Sequence, residues 1–222
     1  MPVLRLPLLP AAAGKQHWGN LPGAALSLAI AEAASAAKRF TLLLTADSQS
    51  AERLEQELSF FAPDLPVLHF PDWETLPYDL FSPHQDIISQ RIASLYRLPE
   101  LAHGVLVVPI TTALHRLAPT KFLLGSSLVL DVGQKLDVEQ MRTRLEASGY
   151  RCVDTVYEHG EFAVRGALID LFPMGSKLPY RIDLFDDEIE TLRTFDPDNQ
   201  RSIDKVESIK LLPAREFPLQ KD

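Results

Sequence analysis

Residues 157–197 read YEHGEFAVRGALIDLFPMGSKLPYRIDLFDDEIETLRTFDP, strand-like runs separated by turn residues. That pattern predicts a small antiparallel meander. In Tyr180–Phe185, period-two alternation sets Tyr180, Ile182 and Leu184 on one face and Arg181, Asp183 and Phe185 on the other. In Glu161–Arg165 the same rule separates Phe162 and Val164 from Arg165. A face carrying arginine, aspartate and a large aromatic is poor core. It is good contact surface, because arginines and aromatics supply most of the energy at protein interfaces.

Upstream of this meander the period changes. Phe40–Asp47 (FTLLLTAD), Leu65–Phe70 (LPVLHF) and Gly104–Ile110 (GVLVVPI) are short, nearly continuous apolar runs. Between them, Ser48–Phe61 and Ile87–Leu98 carry apolar residues at helical spacing, Leu54, Leu58 and Phe61 in the first and Ile88, Ile92 and Leu95 in the second. Asp47 or Ser48 is placed to cap the first, and an alanine-rich helix precedes them near Gly23–Ala37. Strands apolar on both sides, alternating with helices, predict an α/β domain with a parallel sheet covered on both faces. After Pro119 come a strand at Ser127–Val132, a helix at Val138–Ser148, and strands at Phe162–Phe172, Tyr180–Phe185, Ile189–Phe195 and Ile203–Leu211. These predict an α+β domain with an antiparallel sheet. The expected organisation is residues 1–118, residues 119–212 and a polar tail over 213–222.

Composition bounds the function. The chain is 46% hydrophobic and 23% charged, enough to bury a real core. Its net charge of -8 argues against a protein whose main task is wrapping nucleic acid, which takes clustered lysines and arginines. Up to residue 118 there are eight Lys and Arg against eleven Asp and Glu, a net of -3. No apolar run is long enough for a membrane span, so no membrane partner is expected. The opening MPVLRLPLLPAAAGK is interrupted by Pro2, Pro7 and Pro10 and reads as an extended lead-in, not a targeting segment. The single Cys152 fits a reducing cytoplasm and is expected to be packed and inert.

The turn Trp18–Ser27 sits where a phosphate loop would open a nucleotide-binding sheet. Gly19 and Gly23 are present, but Ala24 and Ala25 stand where Gly-Lys is needed and no lysine follows until Lys38. The turn reads either as an ordinary loop capping a helix or as a degenerate P-loop; neither is expected to bind ATP well, so no cofactor and no nucleotide hydrolysis are expected. The six histidines have no metal-ligand spacing, so no metal site is expected. Asp186-Asp187-Glu188 reads as a hairpin turn between two strands. No catalytic residue is assigned.

FPDWETLPYD (Phe70–Asp79), SPHQDIISQRI (Ser82–Ile92), EFAVRGALIDLFP (Glu161–Pro173) and YRIDLFDDEIETLRTFDP (Tyr180–Pro197) together resemble the N-terminal region of the bacterial transcription-repair coupling factors. The last two are also similar to the UvrA-binding domain of the excision-repair protein UvrB. The resemblance implies that residues 1–118 are the first part of a helicase-like domain that has lost its nucleotide site. Residues 119–212 are then a module that recruits UvrA to stalled RNA polymerase in nucleotide excision repair. By motif, the family's UvrA contacts fall on Arg165, Arg181, Asp183 and Phe185. UvrB-type chains often read F-R-V-R-G where this chain has Ala163, so that contact is expected to be absent. The short connection Asp79–Asp86 leaves no room for the DNA-clamping hairpin of UvrB-like proteins. RNA polymerase and DNA are expected to be reached only through further regions of such factors. An apolar edge is expected to remain open on the first domain, where later segments would complete it. The alternative is an ATP-dependent helicase or translocase fragment that binds damaged DNA, and the missing lysine speaks against it.

Overall fold

The computed structural model describes residues 14–75 and 79–218. Most of the expected lead-in, residues 76–78 of the FPDWETLPYD run and the end of the tail therefore lie outside the described residues. Contacts gather the chain into two compact units. One holds the described residues up to Asp72 with Arg97–His115, and the other holds Trp73–Tyr96 with Arg116 onward. Chain order suggests a division near residue 119. Compactness instead takes Trp73–Tyr96 into the later unit.

The first unit begins with helix α1 (Ala25–Ala37), which Lys38 ends in the left-handed conformation at φ 47°. Strand β1 (Phe40–Thr45) leads into helix α2 (Ser48–Phe61). Asp47 caps that helix, its carboxylate accepting the Ser50 amide at 2.7 Å. Strand β2 (Val67–His69) follows, and the chain leaves for helix α3 (Gln85–Arg97) before returning as strand β3 (Gly104–Pro109) and the single turn α4 (Ile110–Ala113). The three strands are parallel in the order β1-β3-β2, with β3 central and buried along its whole length.

Both α1 and α2 pack on one face of this sheet. Ile30, Ala34, Leu54 and Leu58 meet Val105 and Val107, with Leu43 and Val67 alongside. On the opposite face of β1, Phe40, Leu42 and Leu44 are 40%, 51% and 47% exposed. Cover on both faces is therefore not what forms along β1, while the expected open apolar edge is present there. An apolar run on both sides of a strand does not say whether that strand lies at the centre or the edge.

The second unit adds helix α5 (Thr120–Gly125), strand β4 (Leu128–Asp131), helix α6 (Val138–Ala147) and seven further strands. These are β5 (Arg151–Cys152), β6 (Glu161–Arg165), β7 (Leu168–Leu171), β8 (Tyr180–Phe185), β9 (Glu188–Phe195), β10 (Ser202–Val206) and β11 (Ser208–Leu211). Six of them form one sheet in the order β10-β9-β8-β7-β6-β5, antiparallel except where β5 joins β6. The expected strand Phe162–Phe172 is a hairpin, because Gly166 turns at φ 63°. The expected strand Ile203–Leu211 breaks at Glu207: β10 stays at the sheet edge, while β11 leaves to pair with β4. Phe162, Ile169, Leu171, Ile182 and Ile189 are fully buried. The described residues are thus mixed α/β, with a parallel three-stranded sheet, a mainly antiparallel six-stranded sheet and the antiparallel pair β4–β11. No described helix is long and apolar enough to cross a membrane.

Residues after Leu212 are packed up to Glu216, not a free polar tail. The Tyr150 hydroxyl donates to the Leu212 carbonyl at 2.6 Å, and the Ala214 amide to the Ser148 carbonyl at 2.9 Å. Cys152 is exposed on β5, which corrects the expectation of a packed thiol. The two-residue strand is too short to bury it.

Candidate protein-binding surface

Antiparallel register places directly opposed residues on one face. Across β6 to β10 one row runs Ala163, Asp170, Arg181, Arg193, Lys205. The next row runs Arg165, Leu168, Asp183, Thr191. Phe185 ends β8 on the same side, next to the turn Asp186-Asp187. The structure therefore brings together Arg165, Arg181, Asp183 and Phe185, the residues that the sequence singles out. Ile182 and Leu184 point into the core between them.

Asp170 organises this face. It is fully buried, and its carboxylate takes Arg181 at two points, Nε at 2.7 Å and Nη2 at 3.0 Å. Arg165 Nη2 donates to the same carboxylate. Paired bonds of this kind fix a guanidinium plane as well as its position. Arg181 Nη1 donates to the Gln200 carbonyl at 3.2 Å, and the guanidinium lies 4.8 Å over the Phe195 ring. The bonds to Asp170 hold the Arg181 charge firmly, pushing its pKa above the ordinary arginine value against the opposing effect of burial. Asp183 accepts from the Thr191 hydroxyl at 2.7 Å.

Exposure differs along the face. The Arg181 side chain is only 16% exposed, whereas that of Arg165 is 48% exposed and Phe185 as a whole is 69% exposed. Ala163 is sealed in a small apolar cluster with Val156, Phe172 and Phe195. The position that carries arginine in F-R-V-R-G is thus part of a local core here. Sequence reading did not single out Asp170. The signal was available: in Leu168–Leu171, alternation puts Asp170 opposite in parity to Ile169 and Leu171, hence on the arginine side.

Other candidate sites resolve differently. The Ser27 hydroxyl, within the turn considered for phosphate binding, is buried and donates to Glu57 of α2. Asp186-Asp187 is a two-residue hairpin turn, with Asp186 at φ 56° and Asp187 paired to Lys135 at 2.8 Å. Among the described residues no three His, Cys, Asp or Glu side chains are grouped to hold a metal ion. A cavity of about 350 Å³ is lined by Arg151, Glu158, His159, Glu161 and Arg215. Arg151 there is already paired with Glu161 and with Glu158.

A charged, aromatic-flanked sheet face thus lies over a well-packed core. Residues 128–217 match the family described as the UvrB interaction domain. The chain is 54% identical over 96% of its length to the transcription-repair-coupling factor of Escherichia coli strain K12, covering 19% of that protein. It is 50% identical over 90% of its length to the factor of Haemophilus influenzae, and 30% identical over 91% to that of Bacillus subtilis, covering 17% of each. Over the segment it spans, the chain is thus similar to the transcription-repair-coupling factors. That segment is about a fifth of the length of these relatives.

Proposed function

We propose that this chain is a recruitment module of transcription-coupled nucleotide excision repair that binds UvrA through Arg165, Arg181, Asp183 and Phe185. The observation that carries the reading is the buried Asp170, which holds Arg165 and Arg181 on one face of the UvrB interaction domain, with Phe185 left exposed beside them. Arg165 offers the more accessible cation, Arg181 a fixed charge and Phe185 an apolar anchor. Preorganised cations lose little entropy on contact, and an exposed aromatic supplies desolvated area. RNA polymerase and DNA are engaged by other regions of the whole factor.

The chain itself turns over no nucleotide. In support, no lysine follows Gly23 until Lys38, which caps the far end of α1, and Ser27 is turned towards Glu57. The first unit on this reading is a helicase-like sheet with a decayed phosphate loop. Titration with ATP is expected to give no saturable site, and a micromolar one overturns this part.

Calorimetric titration of the chain with purified UvrA tests the main proposal. Loss of one charge-assisted contact in Arg165→Ala or Arg181→Ala is expected to weaken binding by about 1.5–3 kcal/mol each. Unchanged affinity in both folded variants overturns it.

A further inference from the structure

The row that passes through Arg181 does not stop at β8. Arg193 lies opposite Arg181 on β9, and Lys205 lies opposite Arg193 on the edge strand β10. The three cations therefore stand side by side across neighbouring strands, roughly 5 Å apart at the backbone. Arg181 is committed to Asp170 and Gln200. Arg193 is not. Its Nε is shielded from solvent with no hydrogen-bond partner, and its Nη2 stands 3.7 Å from Asp183, beyond hydrogen-bond reach. Lys205 is exposed, and Ile203, on the same strand, is 52% exposed. The Arg193 side chain as a whole is 37% exposed, so the outer part of its guanidinium can pair with a carboxylate from outside.

We propose that Arg193 and Lys205 extend the binding face across β9 and β10, and that they receive an acidic stretch of the partner protein. This extension rests on the reading of the Arg165–Phe185 face given above. A protein is favoured over a nucleic acid because the Asp183 carboxylate stands 3.7 Å from Arg193, within the row of cations. A phosphate backbone carries a regular negative charge and would meet that carboxylate repulsively. A protein surface can set an acid against each cation and a polar or basic group against each acid. The exposed Phe185 and Ile203 at the margins suit a partner with apolar contact area as well.

The experiment compares the whole chain with Arg193→Ala, Lys205→Ala, the double variant and Arg165→Ala, by calorimetry against purified UvrA at several salt concentrations. Urea midpoints check that each variant is folded. The double variant is expected to bind about tenfold more weakly at low salt, with a shallower dependence of affinity on salt and an unchanged urea midpoint. Weakening by Arg165→Ala with none from the double variant overturns this extension and leaves the four-residue reading standing. No weakening by any variant overturns both. Loss of duplex-DNA binding in the double variant, with UvrA affinity intact, overturns it in favour of a nucleic-acid strip.

Discussion

Arg91 and Glu216, 125 residues apart in the chain, form a two-point ion pair inside the second unit, Nε to Oε2 at 2.8 Å and Nη2 to Oε1 at 2.9 Å. Arg91 is fully buried and Glu216 nearly so. The Trp73 indole donates to the same carboxylate at 3.1 Å, and the Arg91 guanidinium lies 4.6 Å over the Trp73 ring. Three separate segments are thus tied at one carboxylate: the loop after β2, α3, and the stretch following β11. A buried charge left without its partner keeps its desolvation cost and loses its compensation. Glu216→Ala is therefore expected to lower stability by about 3–5 kcal/mol in urea unfolding. Replacing Arg91 and Glu216 together with apolar residues of similar volume should recover most of that loss. A single variant as stable as the parent would show that the pair does not close the unit.

Asp170 is expected to couple stability to binding. Asp170→Asn keeps the volume but removes the charge that two arginines share. A loss of about 1.5–3 kcal/mol in stability is expected, the scale of hydrogen bonds to a charged group. UvrA affinity should fall as well, although Asp170 is buried and cannot touch a partner. Binding is measured at a temperature where the variant is fully folded. Full affinity there would mean that Arg165 and Arg181 hold their positions without it.

The sequence carried the Tyr180–Phe185 face because one parity is apolar and the other is not, so alternation alone separates core from surface. Asp47 was legible as a cap for a similar reason, since capping depends on residues three apart. The allegiance of α3 was hidden because Arg91 sits on its buried stripe between Ile88 and Leu95, and a charged residue there breaks the apolar pattern. Its partner Glu216 is remote in sequence, and no local period reports a non-local ion pair. The break at Glu207 was hidden for the same kind of reason: Ile203, Val206, Ile209 and Leu211 read as one sparse apolar run, and no local period reports which strand each half meets.

Ala163→Arg restores the F-R-V-R-G pattern of UvrB-type chains but should not restore a contact. Ala163 is 1% exposed and packs with Val156, Phe172 and Phe195. Inserting a long charged side chain there forces overpacking and buries charge, so a loss of about 1–3 kcal/mol or more is expected. UvrA affinity of the folded fraction should not rise. Tighter binding with undiminished stability would show that the cluster opens to let the arginine out.

Acid should weaken the second unit through Glu161. Burial raises the Glu161 pKa, but the amides of Tyr157 and Glu158 and the Arg151 guanidinium together outweigh it, so the folded value lies below the ordinary 4.5. The sign follows from linkage. A carboxylate with a depressed folded pKa contributes its full stabilisation above the ordinary value, and loses it as pH falls through the folded one. Urea midpoints should therefore drop below about pH 4.5 more steeply in the parent than in Glu161→Gln, which has no such proton to take up. Glu161→Gln should also be less stable at neutral pH, because its neutral amide forms weaker bonds to Arg151 and the two backbone amides. Parallel acid profiles for the two proteins would mean that the Glu161 network is not held in solution, and that the turn between β5 and β6 is ordered by the Val156 and Phe172 packing alone.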